Sequence, residues 1–411
     1  MPEVTAVAAT VMVMMALASV VECGPTTWPS PECSGQGVLY ADVGVCECFD
    51  CFSGANCSKV DAGGCVVNAV GGSPLMYQSY WAQYDGPPVA AEVALPAWYR
   101  TGYQFESVLT PASTGLGAAL REAILDVHAS AGNVNTEGMS VVVGSGCTLL
   151  IAASSVALAE AAPCEQTTIY AQPPYYDGYA NWASVGAANT SFSASSSLDP
   201  QRQCIVEFVT LPNNPTGELR SAVYSGSQVA HVHDMVYAWP SLTNKIHNYS
   251  ADIMLFSLSK LSGHAGSRIG WALVKDPAVA AAMESFISKA EITTSVDSRY
   301  RALAILRAIT ATRGGFFSAI RTEFTARWNK VLPIFASSTR FAIRSVPDQF
   351  YLWIECLDGS TSCYDVFLAA GIQGWAGPSF GASDAFVRLE LVQHDLVFDI
   401  LLTKLAALVA A

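Results

Sequence analysis

A lysine, a short glycine- and serine-rich segment and an arginine form the sharpest chemical signal in this sequence. The segment runs Ser257-Leu-Ser-Lys260-Leu-Ser-Gly-His-Ala-Gly-Ser-Arg268, so the arginine follows the lysine by eight residues. A partly desolvated lysine after an apolar strand can have a lowered pKa and form an imine with a carbonyl compound. Small residues let the backbone approach a phosphate, and an arginine can bind the phosphate through two hydrogen bonds. A lone lysine here would more simply be a solvated loop residue, so the assignment depends on its companions.

Two such companions lie upstream, each at the end of an expected strand. They are Asn213-Asn214-Pro-Thr-Gly217 and Asp234-Met-Val-Tyr237. Taken singly, the first is a common turn, Asp234 a loop acid and Tyr237 a core residue. In this order, Asn-Pro-x-Gly, Asp-x-x-Tyr, Ser-x-x-Lys and the arginine resemble the fold-type I, aspartate-aminotransferase-like enzymes, which use pyridoxal 5'-phosphate (PLP).

The resemblance implies a role for each of these side chains around PLP. Lys260 would attach covalently to the cofactor, and Asp234 would pair with its pyridinium nitrogen, which keeps the ring an electron sink. The remaining implied contacts are Asn214 and Tyr237 at the phenolic oxygen, and Ser257 and Arg268 at the phosphate.

A glycine-rich turn is a second candidate for phosphate binding. Gly146, Cys147 and Thr148 end the run Gly-Ser-Gly-Cys-Thr between an expected strand and an expected helix. The free N–H groups and the dipole at a helix N-terminus favour a phosphate. The alternative is a plain strand-to-helix turn, because a glycine-rich turn alone is weak evidence.

Aromatic and cationic side chains elsewhere complete the implied site. Tyr175 and Tyr176 follow two prolines, where the family stacks an aromatic ring on the cofactor, and we expect Tyr175 to do so. Near the C-terminus, Phe386-Val-Arg388-Leu-Glu matches the strand whose arginine binds the substrate α-carboxylate. Arg388 could alternatively be an exposed strand residue.

Alternating helices and short apolar strands must position these residues. Strands are predicted at 141–144, 168–172, 204–211, 231–236, 253–258 and 270–275, and helices at 120–131, 278–290, 298–311 and 396–409. This alternation predicts an α/β fold with a mostly parallel sheet that binds ligands at the carboxyl ends of its strands. We expect a large PLP-binding domain over residues 98–298 and a small domain that combines 69–97 with 299–411.

Cysteines are concentrated near the N-terminus, where six of the 12 lie between residues 33 and 65. A segment this short and rich in glycine cannot build a hydrophobic core, so cross-links must stabilise it. A zinc site at Cys48-x-x-Cys51 is the competing interpretation, but no second pair or histidine follows. The pattern predicts an EGF-like module over residues 24–68, for which the sequence alone allows fifteen pairings.

The module and several other segments resemble the alliinase family in particular. They include Asp234-Met-Val-Tyr-Ala-Trp-Pro240, the lysine segment and Gly72-Ser-Pro-Leu-Met-Tyr-Gln-Ser-Tyr-Trp81 in the full sequence. The resemblance implies four disulfides: Cys33–Cys46, Cys48–Cys57, Cys51–Cys65 and Cys356–Cys363. It leaves Cys23, Cys147, Cys164 and Cys204 unassigned, and apolar neighbours favour buried thiols for several of these.

The same resemblance predicts a homodimer. Trp98-Tyr-Arg-Thr-Gly-Tyr103 aligns with the stretch whose tyrosine reaches the phosphate of the partner subunit. Tyr103 would therefore belong to a neighbouring site, which requires two copies of the chain.

The N-terminus predicts export. Residues 4–21 are apolar, and Ala16-Leu17-Ala18 fits a signal-peptidase site, so residues 1–18 are predicted to be a signal peptide. An uncleaved membrane anchor is the alternative. Sequons at Asn56, Asn189 and Asn248 are consistent with the secretory pathway, with an extracellular or vacuolar destination.

Composition narrows the partners. The chain has 411 residues and a formal net charge of −13, with 51% hydrophobic and 13% charged residues. Disordered chains are poor in apolar residues, and nucleic-acid-binding proteins need a basic surface, so both classes are excluded. No metal site is predicted, and the expected ligand besides PLP is an amino acid.

Three functions remain open at this stage. The alliinase resemblance favours a carbon–sulfur lyase that eliminates the Cβ substituent of S-substituted cysteine sulfoxides, giving pyruvate, ammonia and a sulfur product. An aminotransferase of the plant tryptophan type, which generally lacks the EGF-like module, is the alternative. Thr216, Leu149 and Asp177 depart from the usual alliinase residues and put the substrate in doubt. The third possibility is a secreted binding protein with a vestigial enzyme domain.

Overall fold

Two small hairpins and three disulfides build the N-terminal module. In this computed structural model, β1 (Gly37–Tyr40) pairs antiparallel with β2 (Val45–Cys48), and β3 (Phe52–Ser53) with β4 (Lys59–Val60). The disulfides are Cys33–Cys46, Cys48–Cys57 and Cys51–Cys65, which confirms the pairing implied by the alliinase resemblance.

The structure describes residues 30–40, 43–61, 64–71, 73–83, 102–103, 105–183, 189–359 and 362–411. The predicted signal peptide and Cys23 lie outside these residues, as do Gly72 and the segment from Trp98 to Arg100.

The rest of the chain alternates strands and helices. The strands are β5 (Val67–Asn68), β6 (Val108–Leu109), β7 (Ser140–Gly144), β8 (Thr167–Ala171), β9 (Thr190–Ser193), β10 (Cys204–Thr210), β11 (Val229–Asp234), β12 (Ile253–Ser257), β13 (Gly270–Val274), β14 (Phe341–Ile343), β15 (Tyr351–Cys356), β16 (Ile372–Gln373), β17 (Trp375–Ala376) and β18 (Phe386–Glu390). The helices are α1 (Met76–Ala82), α2 (Gly115–Ala131), α3 (Cys147–Ala161), α4 (Gly178–Ala183), α5 (Leu258–Leu261), α6 (Pro277–Glu291), α7 (Val296–Ala311), α8 (Gly315–Phe335), α9 (Cys363–Ala369) and α10 (Asp395–Ala410).

An eight-stranded sheet forms the centre of the large domain, in the order β6-β7-β13-β12-β11-β10-β8-β9. Six strands run in one direction, and β6 and β13 run antiparallel to their neighbours. All residues of β10, β12 and β13 are buried, as expected for strands covered by helices on both faces. One face packs against α2 and α7, the other against α3 and α6. The predicted mostly parallel α/β sheet is confirmed.

A smaller antiparallel sheet, β14-β15-β18-β17, forms a second core with α10. Helix α8 connects the two cores: Phe316 and Phe324 lie in the core that α2 and α7 share, whereas Trp328 and Val331 lie in the smaller one. The predicted boundary between residues 298 and 299 falls inside α7. Helix α7 packs on α2, and α8 carries the chain from there to the small sheet.

Two disulfides lie outside the module. Cys356–Cys363 is present as the resemblance implied. Cys164 and Cys204, expected to be unassigned thiols, form a disulfide instead. The topology explains the difference, because Cys204 lies opposite Thr167 in the β10–β8 pair and Cys164 precedes Thr167 by three residues. Within the described part of the chain, Cys147 is the free cysteine.

Among the described residues, no single helix combines the length and apolar composition needed to cross a membrane. Helices α7 and α8 reach that length and apolar composition only together, and the chain bends by 89° between them.

Candidate active site

A cavity of about 320 Å³ opens at the carboxyl ends of the parallel strands. It is lined by the last residues of three neighbouring strands, namely Thr210 of β10, Asp234 of β11 and Ser257 of β12. Nine of the predicted site residues line this cavity: Lys260, Asp234, Tyr237, Asn214, Ser257, Arg268, Cys147, Thr148 and Arg388. Residues separated by more than 200 positions in the sequence thus converge at one sheet edge, as the strand pattern predicted.

One end of the cavity is suited to a phosphate. Helix α3 begins at Cys147. The N-cap residue before it, Gly146, has a φ of 84° and no side chain to cap the free N–H groups. A Cβ atom at Gly146 would lie 2.5 Å from Nη2 of Arg268, so the guanidinium packs directly on bare backbone. The Ser257 hydroxyl lies on the same wall and accepts a hydrogen bond from the Ser259 N–H. Backbone donors, a hydroxyl and a guanidinium together fit a phosphate group.

Asp234 supplies a buried carboxylate deeper in the cavity. Its side chain is 3% exposed, and Tyr179 donates a hydrogen bond to Oδ2 at 2.8 Å. The Cys147 thiol lies 3.9 Å from the other oxygen, Oδ1. Burial raises the pKa of Asp234 to about 6, although the hydrogen bond from Tyr179 opposes this shift. A cationic ring nitrogen beside the carboxylate would offset the cost of burying its charge, as the pyridinium of PLP does.

Two contacts from distant parts of the chain position Lys260. Lys260 lies in the short helix α5, and its backbone carbonyl accepts a hydrogen bond from Tyr77 of α1 at 3.0 Å. Its Nζ lies 4.9 Å from the centre of the Phe350 ring, where the side chain borders the cavity. Lys260 therefore lines the same cavity as the carboxylate of Asp234 and the guanidinium of Arg388.

Arg388 is buried, which excludes the interpretation as an exposed strand residue. The side chain is 2% exposed, and its guanidinium carbon lies 4.0 Å from the centre of the Tyr351 ring. Nη1 donates to Oδ1 of Asn214 at 2.9 Å, and Nη2 donates to the carbonyl of Val70 at 2.6 Å. Nε is buried without a partner among the described residues. A buried cation with an unused donor is suited to a carboxylate ligand.

The structure places Tyr176 in the cavity and does not bring Tyr175 there. Tyr175 lines a separate small cavity, where its N–H donates to the carbonyl of Phe380 and its ring packs on Phe192. Adjacent side chains along an extended segment point to opposite sides, so only one of the two tyrosines can face the cofactor position. The expected choice of Tyr175 is therefore corrected to Tyr176.

Tyr103 lies outside this cavity in a single copy of the chain. Its side chain is 72% exposed and pairs with the ring of Phe105 at 5.3 Å. Its contact with the site of a partner subunit stays a prediction.

Three contributors were not predicted from the sequence. Tyr179 bonds to Asp234, and Tyr351 lies 2.9 Å from Tyr237 between their hydroxyl oxygens. Trp375 lines the cavity beside Arg388. None of these residues belongs to a motif with a fixed spacing, so the sequence offers no signal that separates them from ordinary core aromatics. The described residues contain no cluster of histidine, cysteine or acidic side chains that could hold a metal.

The sequence that builds this cavity matches a known protein family. The family model described as "Allinase" covers residues 67–409, which include every residue that lines the cavity. The chain belongs to the alliinase family. Alliinase-family members and their aminotransferase-fold relatives depend on PLP. The phosphate-binding end, the buried acid and the lysine of this alliinase-family chain fit that cofactor.

Two relatives carry different names. Tryptophan aminotransferase-related protein 3 of Arabidopsis thaliana is 33% identical, over 93% of this chain and 88% of the relative. Alliin lyase of Allium cepa var. aggregatum is 31% identical, over 92% of this chain and 91% of the enzyme. Among solved structures, the methionine aminotransferase YbdL from Escherichia coli superimposes with a TM-score of 0.59 at 15% identity, over 84% of this chain and 93% of its own. That likeness confirms the fold-type I architecture.

Proposed function

We propose that this alliinase-family protein is a carbon–sulfur lyase. Its substrates would be S-substituted cysteines, above all their sulfoxides, and its products pyruvate, ammonia and a sulfur compound. The observation that carries the proposal is the likeness to alliin lyase over 92% of the chain.

The cavity supports specific roles in this reaction. When bound, PLP withdraws electrons from the Cα atom of an attached amino acid. Arg388 would hold the α-carboxylate through its unused Nε donor, and Lys260 would remove the Cα proton. Asp234 would keep the ring nitrogen protonated, and Tyr176 would fix the plane of the ring from the cavity wall.

Amino transfer is the second candidate. It is favoured by Thr216, which takes the place of the acidic residue usual in alliinases, and by the likeness to the tryptophan aminotransferase-related protein. Thr216 is 6% exposed and donates to Glu218 at 3.0 Å, so an acidic neighbour is still reached at this turn. The relative's name records only a relation to tryptophan aminotransferases, whereas alliin lyase names a reaction. We therefore favour elimination.

One pair of assays separates the candidates. The purified full chain with PLP is incubated with S-methyl-L-cysteine sulfoxide in the absence of a keto acid, and separately with L-tryptophan and 2-oxoglutarate. Pyruvate release in the first reaction supports the lyase. Glutamate formation in the second reaction without pyruvate release in the first would contradict the lyase and support the aminotransferase. A protein that binds no PLP, as judged by absorbance, would indicate a vestigial enzyme domain.

We also propose that the protein passes through the secretory pathway as a glycosylated homodimer. The asparagines of all three sequons, Asn56, Asn189 and Asn248, are exposed. The five disulfides of the described residues suit an oxidising compartment. Enzymatic removal of N-glycans from the exported protein should lower its apparent mass, and light scattering should give twice the chain mass. An unchanged mass after glycan removal would contradict glycosylation.

A further inference from the structure

The acceptor that orients the substrate-binding arginine belongs to the segment that leaves the N-terminal module. Nη2 of Arg388 donates to the carbonyl of Val70, and Val70 follows the last cysteine of the module, Cys65, by five residues. We propose that the EGF-like module is a positioning element of the substrate site, which fixes the backbone at Val70 so that Arg388 faces the α-carboxylate. The inference rests on the role of Arg388 in the proposed function.

The module is attached to the catalytic unit immediately before Val70. Strand β5 pairs parallel with β16, with Val67 opposite Ile372 and Asn68 opposite Gln373. The Cys51–Cys65 disulfide closes directly upstream of this pair. The segment is thus clamped on one side by a covalent cross-link and on the other by backbone hydrogen bonds.

Module side chains reinforce the clamp. Phe49 is 5% exposed, lies in the core of the small sheet and stacks on His394 with ring centres 4.0 Å apart. Its neighbour Asp50 accepts a hydrogen bond from the N–H of Asn68 at 2.9 Å. Asp50 therefore connects the module to β5 only two residues before the acceptor for Arg388.

The arginine has little freedom once this segment is in place. Its two terminal nitrogens bond to Asn214 and Val70, and these bonds point the guanidinium in one direction. The next residue, Gly71, has a φ of 119°, and a Cβ atom there would lie 3.1 Å from Nη2. The backbone passes so close to Arg388 that a small displacement of the segment removes an acceptor or obstructs the guanidinium.

Two disulfide variants of nearly equal loop length test the proposal. Cys51→Ala/Cys65→Ala removes the cross-link next to β5, and Cys33→Ala/Cys46→Ala removes one at the far end of the module. Their sequence separations are 14 and 13, so the general loss of stability should be similar. We expect only the first variant to raise the KM for the amino acid, by at least fivefold, with kcat within twofold and PLP affinity unchanged. Equal KM values in the two variants would overturn the inference.

Two single substitutions of Asp50 test the proposal if the first disulfide variant does not fold. Asp50→Ala removes the acceptor for the Asn68 N–H, and Asp50→Asn retains an oxygen there. We expect Asp50→Ala to weaken amino-acid binding at least threefold and Asp50→Asn to restore it. Wild-type affinity in Asp50→Ala would contradict the proposal.

Binding is measured by rapid mixing, from the first absorbance change of bound PLP at increasing concentrations of S-methyl-L-cysteine or of L-tryptophan, before product forms. A protein that shows the expected pattern of affinities but releases no pyruvate from the sulfoxide would contradict the lyase proposal and support the role of the module. If the wild-type protein binds neither amino acid, the assignment of Arg388 to the substrate site is refuted and the inference is overturned.

Discussion

Tyr179 donates its hydroxyl hydrogen to Oδ2 of Asp234 at 2.8 Å, from a helix that begins only two residues after Tyr176. The same hydroxyl lies 2.6 Å from Oγ1 of Thr210, at the end of the neighbouring strand. Asp234 is thereby fixed in one rotamer, with Oδ1 on the side of Cys147. A single segment therefore supplies both the ring that faces the cofactor position and the donor that orients its acid.

Replacement of Asp234 should stabilise the cofactor-free protein while it abolishes activity. The pKa of Asp234 is raised from its ordinary value to about 6. Between about pH 4 and 6 the carboxyl group is therefore protonated in the native state and ionised in the unfolded chain. The free energy of unfolding therefore falls as the pH rises from about 4 to 6, by up to roughly 3 kcal/mol. Asp234→Asn should lose this dependence. Urea denaturation of both PLP-free proteins at pH 4.5 and 7.5 measures the difference in their free energies of unfolding. A difference that does not change with pH would contradict the prediction.

Tyr176→Ala should weaken PLP binding about tenfold, because an aromatic stacking partner contributes roughly 0.5–1.5 kcal/mol beyond the area it buries. Tyr175→Ala is the matched control, since its ring packs on Phe192 outside the cavity. Titration of the PLP-free variants with PLP, followed by absorbance, gives both affinities. The opposite order would return the stacking role to Tyr175.

Gly146→Ala should reduce PLP affinity by more than tenfold, because the new methyl group would displace the Arg268 guanidinium from the phosphate-binding end. Gly138→Ala provides a control at another glycine with a positive φ: its φ is 72°, and a Cβ atom there meets no neighbour within 4 Å. Both variants should lose stability in thermal unfolding, because each places a side chain at a positive φ. If they also lost similar PLP affinity, backbone strain alone would explain the effect.

Lys260→Ala should abolish the covalent link between protein and PLP. Sodium borohydride treatment followed by intact-mass analysis detects the reduced link in the wild type. Lys275→Ala is the control, since Lys275 lies at the end of β13 with its side chain 69% exposed beside Asp252. A reducible link that persists in Lys260→Ala would refute the assignment of the lysine.

The sequence predicted the strands and the residues at their carboxyl ends well, because both depend on local patterns. Ser257 and Asn214 lie at the ends of apolar, β-branched runs bounded by turn residues, a local pattern that marks a buried strand. The choice between Tyr175 and Tyr176 failed because it depends on the direction of one extended segment. The Cys164–Cys204 pair was missed because it depends on which strands are neighbours in the sheet. Tyr351 required the packing of the small sheet against the large one.

The hydrogen bond between Val70 and Arg388 joins positions 318 residues apart. At about 5–20 residues per second, a ribosome needs roughly 15–60 s to make the chain between them. Until the end of that interval the nascent N-terminal module lacks β18, and the His394 ring that stacks on Phe49 is made later still. A chain that stops before β18 would therefore leave the Phe49 ring exposed, and exposed apolar surface of this kind makes incomplete chains prone to aggregation.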